Sequence, residues 1–314
     1  GKSFVWLKRN LTPKAEYAVN ALGIPGLYFL SEERRVYPQV SDAAHVVGYA
    51  GTDNRGLAGI EKSFDEELRT SDQPVQISID LRVQHILHEE LQAAVTKFSA
   101  VGGNGIVMDA NTGEIVAMVS LPDFDPHNPV GSDPSAIFNR DTLGVYEMGS
   151  TFKALTLAMA LDSGKYNLNS MLDARGSLRY GKFSIGDYHG QNRMLSLPEV
   201  FTYSSNIGTA RMALGMGVEH HKWFLKKLGQ LDRLRTELPE SAEPIVPKRW
   251  GELNTVTIAF GHGLSVAPLQ AVAGINALVN GGLLIPPTFL KRTPEEAMAL
   301  AKQVVKPETS EKMR

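Results

Sequence analysis

The sequence places a hydroxyl and an amine at a spacing that suits acyl transfer. Ser150-Thr151-Phe152-Lys153 begins a predicted helix, and residues i and i+3 share a helix face, so the Lys153 amine can reach the Ser150 hydroxyl. Serine attacks a carbonyl only if another group accepts its proton, and lysine can do so if burial lowers its pKa well below about 10.4. The Ser150 backbone N–H, at the helix start, is predicted to bind the oxyanion.

The same four residues also fit a structural interpretation, in which Ser150 caps a helix and Lys153 is solvated. About one Ser-x-x-Lys is expected by chance in a chain of this length. The residues that follow favour catalysis, because the helix up to Leu161 is apolar almost all round. A lysine one turn into such a helix is costly unless it has a partner or a reaction to serve.

A second motif, Ser204-Ser205-Asn206, is predicted on a turn between helices. A hydroxyl and an amide two residues apart can both point into one cleft. We expect Ser204 to relay a proton to the leaving amine and Asn206 to hold a carbonyl of a substrate amide. The alternative is ordinary helix capping by these side chains.

The elements around the motifs indicate an α+β fold. Apolar strands at 106–108 and 115–119 flank a turn and are predicted to be central strands, covered on both faces. The 3.6-residue apolar period and local signals predict further elements, namely helices at 81–98, 150–161, 197–214, 219–228 and 268–278 and a strand at 75–80. Residues 1–74 are turn-rich; within them the pattern predicts a short helix in 8–22, strands at 27–30 and 35–38, and a helix at 61–68.

Composition excludes several classes of function. The 314 residues are 43% hydrophobic and 21% charged with a net charge of −2, which gives no reason to expect a nucleic-acid partner. The absence of cysteine excludes disulfides, thiolate metal sites and a cysteine nucleophile. No window approaches the roughly 20 apolar residues of a membrane span. The chain begins at Gly1-Lys2-Ser3 without an initiator methionine, and we expect any membrane anchor to lie outside it.

Together the two motifs resemble the signature of penicillin-binding proteins and serine β-lactamases, in which Ser-x-x-Lys precedes Ser-x-Asn. The surrounding residues are similar to class B penicillin-binding proteins, and above all to the septal, FtsI-like transpeptidases of the penicillin-binding protein 3 type. The segments that carry this resemblance are Glu147–Lys153 (with Met148 where many members have proline), Tyr203–Gly208, Gly261–Gln270, Arg35–Pro38 and Gly56–Glu61.

The resemblance implies a peptidoglycan D,D-transpeptidase. Ser150 would attack the D-Ala-D-Ala bond of a stem peptide with Lys153 as base, and the amine of a neighbouring strand would resolve the acyl-enzyme. β-Lactams would acylate the same serine, and no metal or organic cofactor is implied. The resemblance also implies a bacterial inner-membrane protein whose catalytic domain is periplasmic. Its implied partners are a SEDS-family glycan polymerase and divisome proteins.

In domain terms, the resemblance implies a partial non-catalytic pedestal of the class B dimerisation type at 1–74 and a penicillin-binding transpeptidase domain at 75–314. That domain has an antiparallel sheet and a helical subdomain. The family's third motif, Lys-Thr/Ser-Gly, is missing, and the chain stops at Lys312-Met313-Arg314. In the family this strand supplies the second oxyanion N–H and binds the donor's terminal carboxylate. We therefore expect a C-terminally truncated domain whose site, in this 314-residue chain, labels poorly with penicillin.

Two rival functions remain open at this stage. The first is hydrolysis, as in a serine β-lactamase or a D,D-carboxypeptidase. Against it, the stretch that looks like the Glu-x-x-Leu-Asn loop of class A β-lactamases has Trp250 in place of the glutamate that activates water. The second is a non-catalytic role as a penicillin sensor or divisome scaffold.

The remaining candidate residues are given structural interpretations. His85 and His88, and His220 and His221, are taken as surface histidines, because no carboxylate cluster or zinc motif accompanies them. His262 lies between two glycines, and a structural role is favoured. The glycine run 102–105 precedes a strand and so does not cradle phosphate. The pair Asp123 and Asp125 is predicted to make turn hydrogen bonds in a proline-rich loop.

Overall fold

The structure is a computed structural model that describes residues 4–314, so the chain start at Gly1-Lys2-Ser3 lies outside the described residues. Most of the regular structure is helical. The α-helices within this part of the chain are α1 (Pro13–Asn20), α2 (Ala44–Val47), α3 (Gly59–Ser63), α4 (Asp65–Thr70), α5 (Leu81–Phe98), α6 (Pro134–Ile137), α7 (Lys153–Asp162), α8 (Leu197–Thr202), α9 (Asn206–Met216), α10 (Val218–Lys227), α11 (Glu252–Ala259), α12 (Pro268–Val279), α13 (Pro294–Leu300) and α14 (Pro307–Met313).

The strands are short and pair antiparallel, two by two. The pairs are β1 (Tyr49–Ala50) with β2 (Gly56–Ala58), β3 (Gly103–Met108) with β4 (Ile115–Leu121), β5 (Tyr146–Glu147) with β10 (Ser265–Val266), β6 (Met171–Asp173) with β9 (Met194–Ser196), β7 (Leu178–Tyr180) with β8 (Phe183–Ile185), and β11 (Leu283–Leu284) with β12 (Lys302–Gln303). Turns of 3-10 helix lie at Pro129–Gly131 and Gly149–Phe152.

Helix α5 and the β3–β4 hairpin confirm the predictions made for them. Asp80 caps α5 by accepting a hydrogen bond from Arg82 N at 2.9 Å. The helix packs closely on β3, since a Cβ at Gly105 would lie 3.0 Å from the Leu87 side chain. This close approach explains the glycine at position 105, which lies within β3. Strand β4 is almost entirely buried, but Val107 of β3 is 37% exposed, so the prediction that both strands are covered on each face is wrong for β3.

The hydrophobic core is built around α7. This helix packs against α9, α12 and α14 among others. Phe152, Leu155 and Met159 are each no more than 2% exposed in the main core cluster. Full burial of such a side chain contributes about 1.5–3 kcal/mol, which fixes α7 and therefore the residues at its first turn.

Residues before position 75 share a second core with the rest of the chain. Val46 and Ile60 pack in one cluster with Ile115 and Met118 of β4 and with Phe289. No helix within residues 4–314 is both long enough and apolar enough to cross a membrane.

Several predicted elements are wrong or interrupted. The predicted strands at 27–30 and 35–38 are irregular, and the segment 75–80 makes only one bridge, Ile77 with Leu290. Among the described residues, the segments 27–30 and 35–38 pair with no strand, so no neighbour satisfies their backbone hydrogen bonds. Tyr28 in the first of them is 85% exposed. The predicted helix at 61–68 is divided at Phe64 into α3 and α4. The predicted helix at 197–214 is broken between α8 and α9 by the second motif.

Candidate active site

Ser150 lies on the 3-10 turn Gly149–Phe152, directly before α7. Gly149 has φ +55°, a left-handed conformation that favours glycine and turns the chain from β5 into the helix. Phe152 is buried, whereas Ser150 stays exposed. Because Ser150 is at the first turn, its backbone N–H has no partner within the helix. Ser150 is thus held on a rigid helix start and is open to solvent.

A glycine-rich turn between α11 and β10 supports this helix start from the side. Gly149 N donates to Gly261 O at 3.1 Å, and a Cβ at Gly261 would lie 1.8 Å from Gly149 O. The Glu147 carboxylate accepts a hydrogen bond from Gly263 N at 2.6 Å, and this bond lowers the Glu147 pKa. His262 Nδ1 lies 3.1 Å from Glu147 Oε2. His262 therefore contacts the rim of the site through Glu147.

The amine and the two hydroxyls form one continuous hydrogen-bonded chain. Lys153 is 3% exposed, and its Nζ donates to the Ser204 carbonyl oxygen and, at 2.8 Å, to Ser204 Oγ. Ser204 Oγ in turn donates to Ser150 Oγ at 3.0 Å. Within residues 4–314 the structure therefore connects Lys153 to Ser150 through Ser204 and forms no direct hydrogen bond between them. The sequence spacing had predicted a direct approach.

Burial changes the acid–base behaviour of Lys153. Desolvation lowers the pKa of Lys153 to about 8, and the negative charge of Asp187 partly opposes this effect. A lysine with its ordinary pKa is almost fully protonated at neutral pH and cannot accept a proton. With a pKa of about 8, roughly a tenth of the amine is neutral at pH 7.

The second motif forms the tight turn between α8 and α9. Ser204 has φ +51°, which is uncommon for a residue other than glycine and turns both its carbonyl and its hydroxyl toward Lys153. Ser205 caps α9 by accepting from Gly208 N at 2.9 Å. Asn206 Nδ2 donates to Gly186 O at 3.1 Å. The structure thus brings Ser150, Lys153 and Ser204 together. Asn206 lies two residues after Ser204, at the first position of α9.

The contribution of Asp187 was missed by sequence reasoning. Its carboxylate accepts hydrogen bonds from Ser205 Oγ at 2.7 Å and from Ile207 N at 3.0 Å. Asp187 follows β8 in a loop and belongs to no local pattern, so only the folded chain shows that it touches the second motif.

The chain matches the penicillin binding protein transpeptidase domain over residues 103–314, which is more than half of its length. The chain belongs to this family. It is 41% identical over 288 residues to the probable peptidoglycan D,D-transpeptidase FtsI of Caulobacter vibrioides, a match that covers 90% of this chain and 49% of that protein. It is 30% identical to the peptidoglycan D,D-transpeptidase FtsI of Escherichia coli strain K12, covering 93% and 54% respectively.

Solved structures show the same fold. Penicillin-binding protein 3 of Mycobacterium tuberculosis, complexed with aztreonam, superposes with a TM-score of 0.80 at 27% identity over 90% of this chain and 68% of that one. The predicted penicillin-binding transpeptidase fold is therefore confirmed. The chain spans about half the length of the curated relatives it matches.

Away from this transpeptidase site, several histidine predictions are wrong. His88 is 9% exposed, and its Nε2 lies 2.6 Å from Asp123 Oδ2, so neither is the surface or turn residue that was expected. His221 is 1% exposed, and burial lowers its pKa to about 3. Both lie on amphipathic helices whose inward face the sequence did not identify. His85 is exposed, as predicted, and its Nδ1 lies 2.8 Å from Asp42 Oδ2.

The other local predictions concern metal binding and turns. Residues 4–314 contain no group of three or more His, Cys, Asp or Glu side chains able to hold a metal ion. Asp125 does make a turn hydrogen bond, accepting from His127 N at 2.9 Å. Although they are two residues apart, Asp123 contacts His88 of α5, whereas Asp125 makes the local turn hydrogen bond.

Proposed function

We propose that this chain is the catalytic part of a peptidoglycan D,D-transpeptidase that uses Ser150 as its nucleophile. The observation that carries the proposal is the hydrogen-bonded chain from the buried Lys153 amine through Ser204 Oγ to Ser150 Oγ. The names of its relatives, both FtsI-type D,D-transpeptidases, support the same activity.

In the proposed acylation step, Ser150 Oγ attacks the carbonyl carbon of the D-Ala-D-Ala bond. Its proton passes to Ser204 Oγ, whose own proton passes to the neutral Lys153 amine. The Ser150 backbone N–H stabilises the oxyanion of the tetrahedral intermediate. When the C–N bond breaks, Ser204 delivers a proton to the departing amine of D-alanine and is reprotonated by the Lys153 ammonium, which becomes neutral again, and the peptide remains esterified to Ser150.

The acyl-enzyme is then resolved by the amine of a neighbouring stem peptide, and Asn206 is proposed to hold an amide of the bound peptide. Asn206 Nδ2 would exchange its bond to Gly186 O for a substrate carbonyl. Trp250 supports transfer over hydrolysis, since its indole N–H donates to Thr255 Oγ1 at 2.9 Å and offers no carboxylate to activate water. A β-lactam is proposed to acylate Ser150 and to remain attached.

The wider setting is proposed from the relatives. Because these relatives are peptidoglycan D,D-transpeptidases named FtsI, we propose a role at the division septum, an anchor in the inner membrane and a catalytic domain in the periplasm. We propose residues 1–74 as a partial pedestal and 75–314 as the transpeptidase domain. A SEDS-family glycan polymerase and divisome proteins are the proposed partners.

A mass-spectrometric experiment tests the nucleophile. The full-length protein that carries this chain is incubated with a fluorescent penicillin, and the adduct is mapped by peptide analysis. We expect one adduct, on Ser150, that is lost in Ser150→Ala and kept in the control Ser163→Ala, whose hydroxyl bonds Ala160 O at the far end of α7. An adduct elsewhere would overturn the proposal, and rapid hydrolysis of the adduct would point to a hydrolase.

The pH dependence of acylation is a separate prediction. Because burial lowers the Lys153 pKa to about 8, the rate should rise with pH up to about 8 and then level off. Below its pKa the neutral fraction of an amine falls about tenfold per pH unit, and the rate should fall with it. The measurement is the second-order acylation rate with a β-lactam from about pH 6 to about pH 10. A flat profile in the folded protein would contradict Lys153 as the base.

A further inference from the structure

One carboxylate outside the two motifs bonds the residues on either side of Asn206 in the second motif. Asp187, in the loop after β8, accepts a hydrogen bond from Ser205 Oγ at 2.7 Å and from Ile207 N at 3.0 Å. Its neighbour Gly186 accepts from Asn206 Nδ2 at 3.1 Å. Three consecutive residues of the turn are therefore attached to one loop by side-chain or backbone bonds.

The turn needs such attachment because its backbone is strained. Ser204 has φ +51°, and a non-glycine residue in this region costs about 1–3 kcal/mol that the surroundings must offset. Ser204 N itself donates to Phe201 O at 3.0 Å. The next residue, Ser205, is 1% exposed, so its hydroxyl is held in place by Asp187 without competition from water.

We propose that Asp187 is a positioning residue for the acylation step: by holding Ser205 and Ile207, its carboxylate keeps the Ser204 hydroxyl between Lys153 Nζ and Ser150 Oγ. This inference rests on the proposed function, because it assigns a role within the same site. Asp187 itself touches none of the reacting atoms. It acts on the 2.8 Å and 3.0 Å hydrogen bonds that Ser204 Oγ makes to Lys153 and Ser150.

Because Asp187 is charged, its role can be tested through the pH dependence of acylation, which a simple loss of structure would not shift. Among the charged groups within residues 4–314, only Asp187 is identified as shifting the Lys153 pKa, and it raises that pKa against the lowering caused by burial. Removing the charge should lower the Lys153 pKa further. The neutral amine would then become available at lower pH, and the rising limb of the acylation profile would move in the acidic direction.

Two substitutions separate the geometric and electrostatic effects. Asp187→Asn removes the charge but keeps an oxygen that can accept from Ile207 N. We expect its pH midpoint to fall by on the order of half a unit, with a modest loss of maximal rate. Asp187→Ala removes both bonds, and we expect its maximal acylation rate to fall about tenfold or more. Rates are measured with a fluorescent penicillin on the full-length protein that carries this chain.

The matched control is Glu219→Gln, which removes one charge from an exposed position at the first turn of α10. Its profile should coincide with that of the unaltered protein. An Asp187→Asn profile whose midpoint coincides with this control, or an Asp187→Ala rate equal to that of the unaltered protein, overturns the inference. Near-ultraviolet circular dichroism verifies folding, and if Asp187→Ala does not fold, the Asp187→Asn midpoint decides.

A direct titration distinguishes failure of this inference from failure of the proposed function. Lysine side chains are labelled with 13C, the Lys153 signal is assigned by its loss in Lys153→Arg, and its pH midpoint is followed by NMR in the 314-residue chain. If the unaltered full-length protein forms no Ser150 adduct with the fluorescent penicillin, the proposed function fails independently of this inference. If Asp187→Asn leaves the Lys153 midpoint unchanged, the inference fails even where Ser150 is acylated.

Discussion

Lys153→Met is expected to reduce acylation of Ser150 by a β-lactam at least about a thousandfold, a loss typical of removing a general base. The Lys153 amine is the only member of the chain Lys153–Ser204–Ser150 that can retain the extra proton, because the other two are neutral hydroxyls, which are far weaker bases than an amine. Methionine is unbranched and of similar length, so it can fill the buried position beside α9. The measurement is the rate of covalent adduct formation followed by intact mass.

Lys153→Arg separates proton acceptance from charge. The guanidinium can donate to Ser204 but is not deprotonated in proteins, so this variant should be as inactive as Lys153→Met. Lys165→Met is the control, since Lys165 is an exposed lysine that donates to Gly215 O and lies outside the site. Acylation within about tenfold of the unaltered rate in either Lys153 variant would refute Lys153 as the base.

Gly261→Ala is expected to lower the free energy of unfolding by about 3 kcal/mol and to reduce acylation sharply. A Cβ at this position would lie 1.8 Å from Gly149 O, and the residue has φ +90°. Relief requires the α11–β10 turn to move away from Gly149. That movement breaks the hydrogen bond between Gly149 N and Gly261 O, which is 3.1 Å long, and displaces the helix start that carries Ser150.

The matched control for this effect is Gly281→Ala. Gly281 has nearly the same φ, +94°, but a Cβ there would meet nothing within 4 Å. It should therefore lose only about 1 kcal/mol, from backbone strain alone. Both variants are compared by chemical unfolding and by adduct formation. Equal stabilities for the two would show that the contact between Gly261 and Gly149 does not decide the fold of the site.

Local sequence patterns were sufficient to predict a helix or strand where the element is long or its apolar periodicity is strong. Helix α5 has the bounds predicted for it, and the β3–β4 hairpin lies where its turn residues indicated. The strand predictions for segments 27–30 and 35–38 were wrong because a strand exists only with a partner, and side chains such as Tyr28 and Val36 are exposed. The prediction that His88 and His221 lie at the surface was wrong for a related reason, since burial depends on which helix face meets the core.

The sequence by itself determined the residue types of the site and the spacing within each motif. Ser150 and Lys153 share one helical turn, and Ser204 and Asn206 share the turn between two helices, because both relations are local. The order of the proton path was decided by the tertiary structure. Packing of α7 against α9 puts Ser204 between Lys153 and Ser150, and burial in that core lowers the Lys153 pKa.

Contacts between distant segments were also decided only by folding. Asp187 meets the second motif, and Gly261 meets Gly149, across separations for which no periodicity exists. Such contacts follow from how whole helices and loops pack, which is a property of the complete chain. Residue chemistry therefore indicated the class of reaction proposed for the site, and three-dimensional packing decided which of its atoms lie within hydrogen-bonding distance of one another.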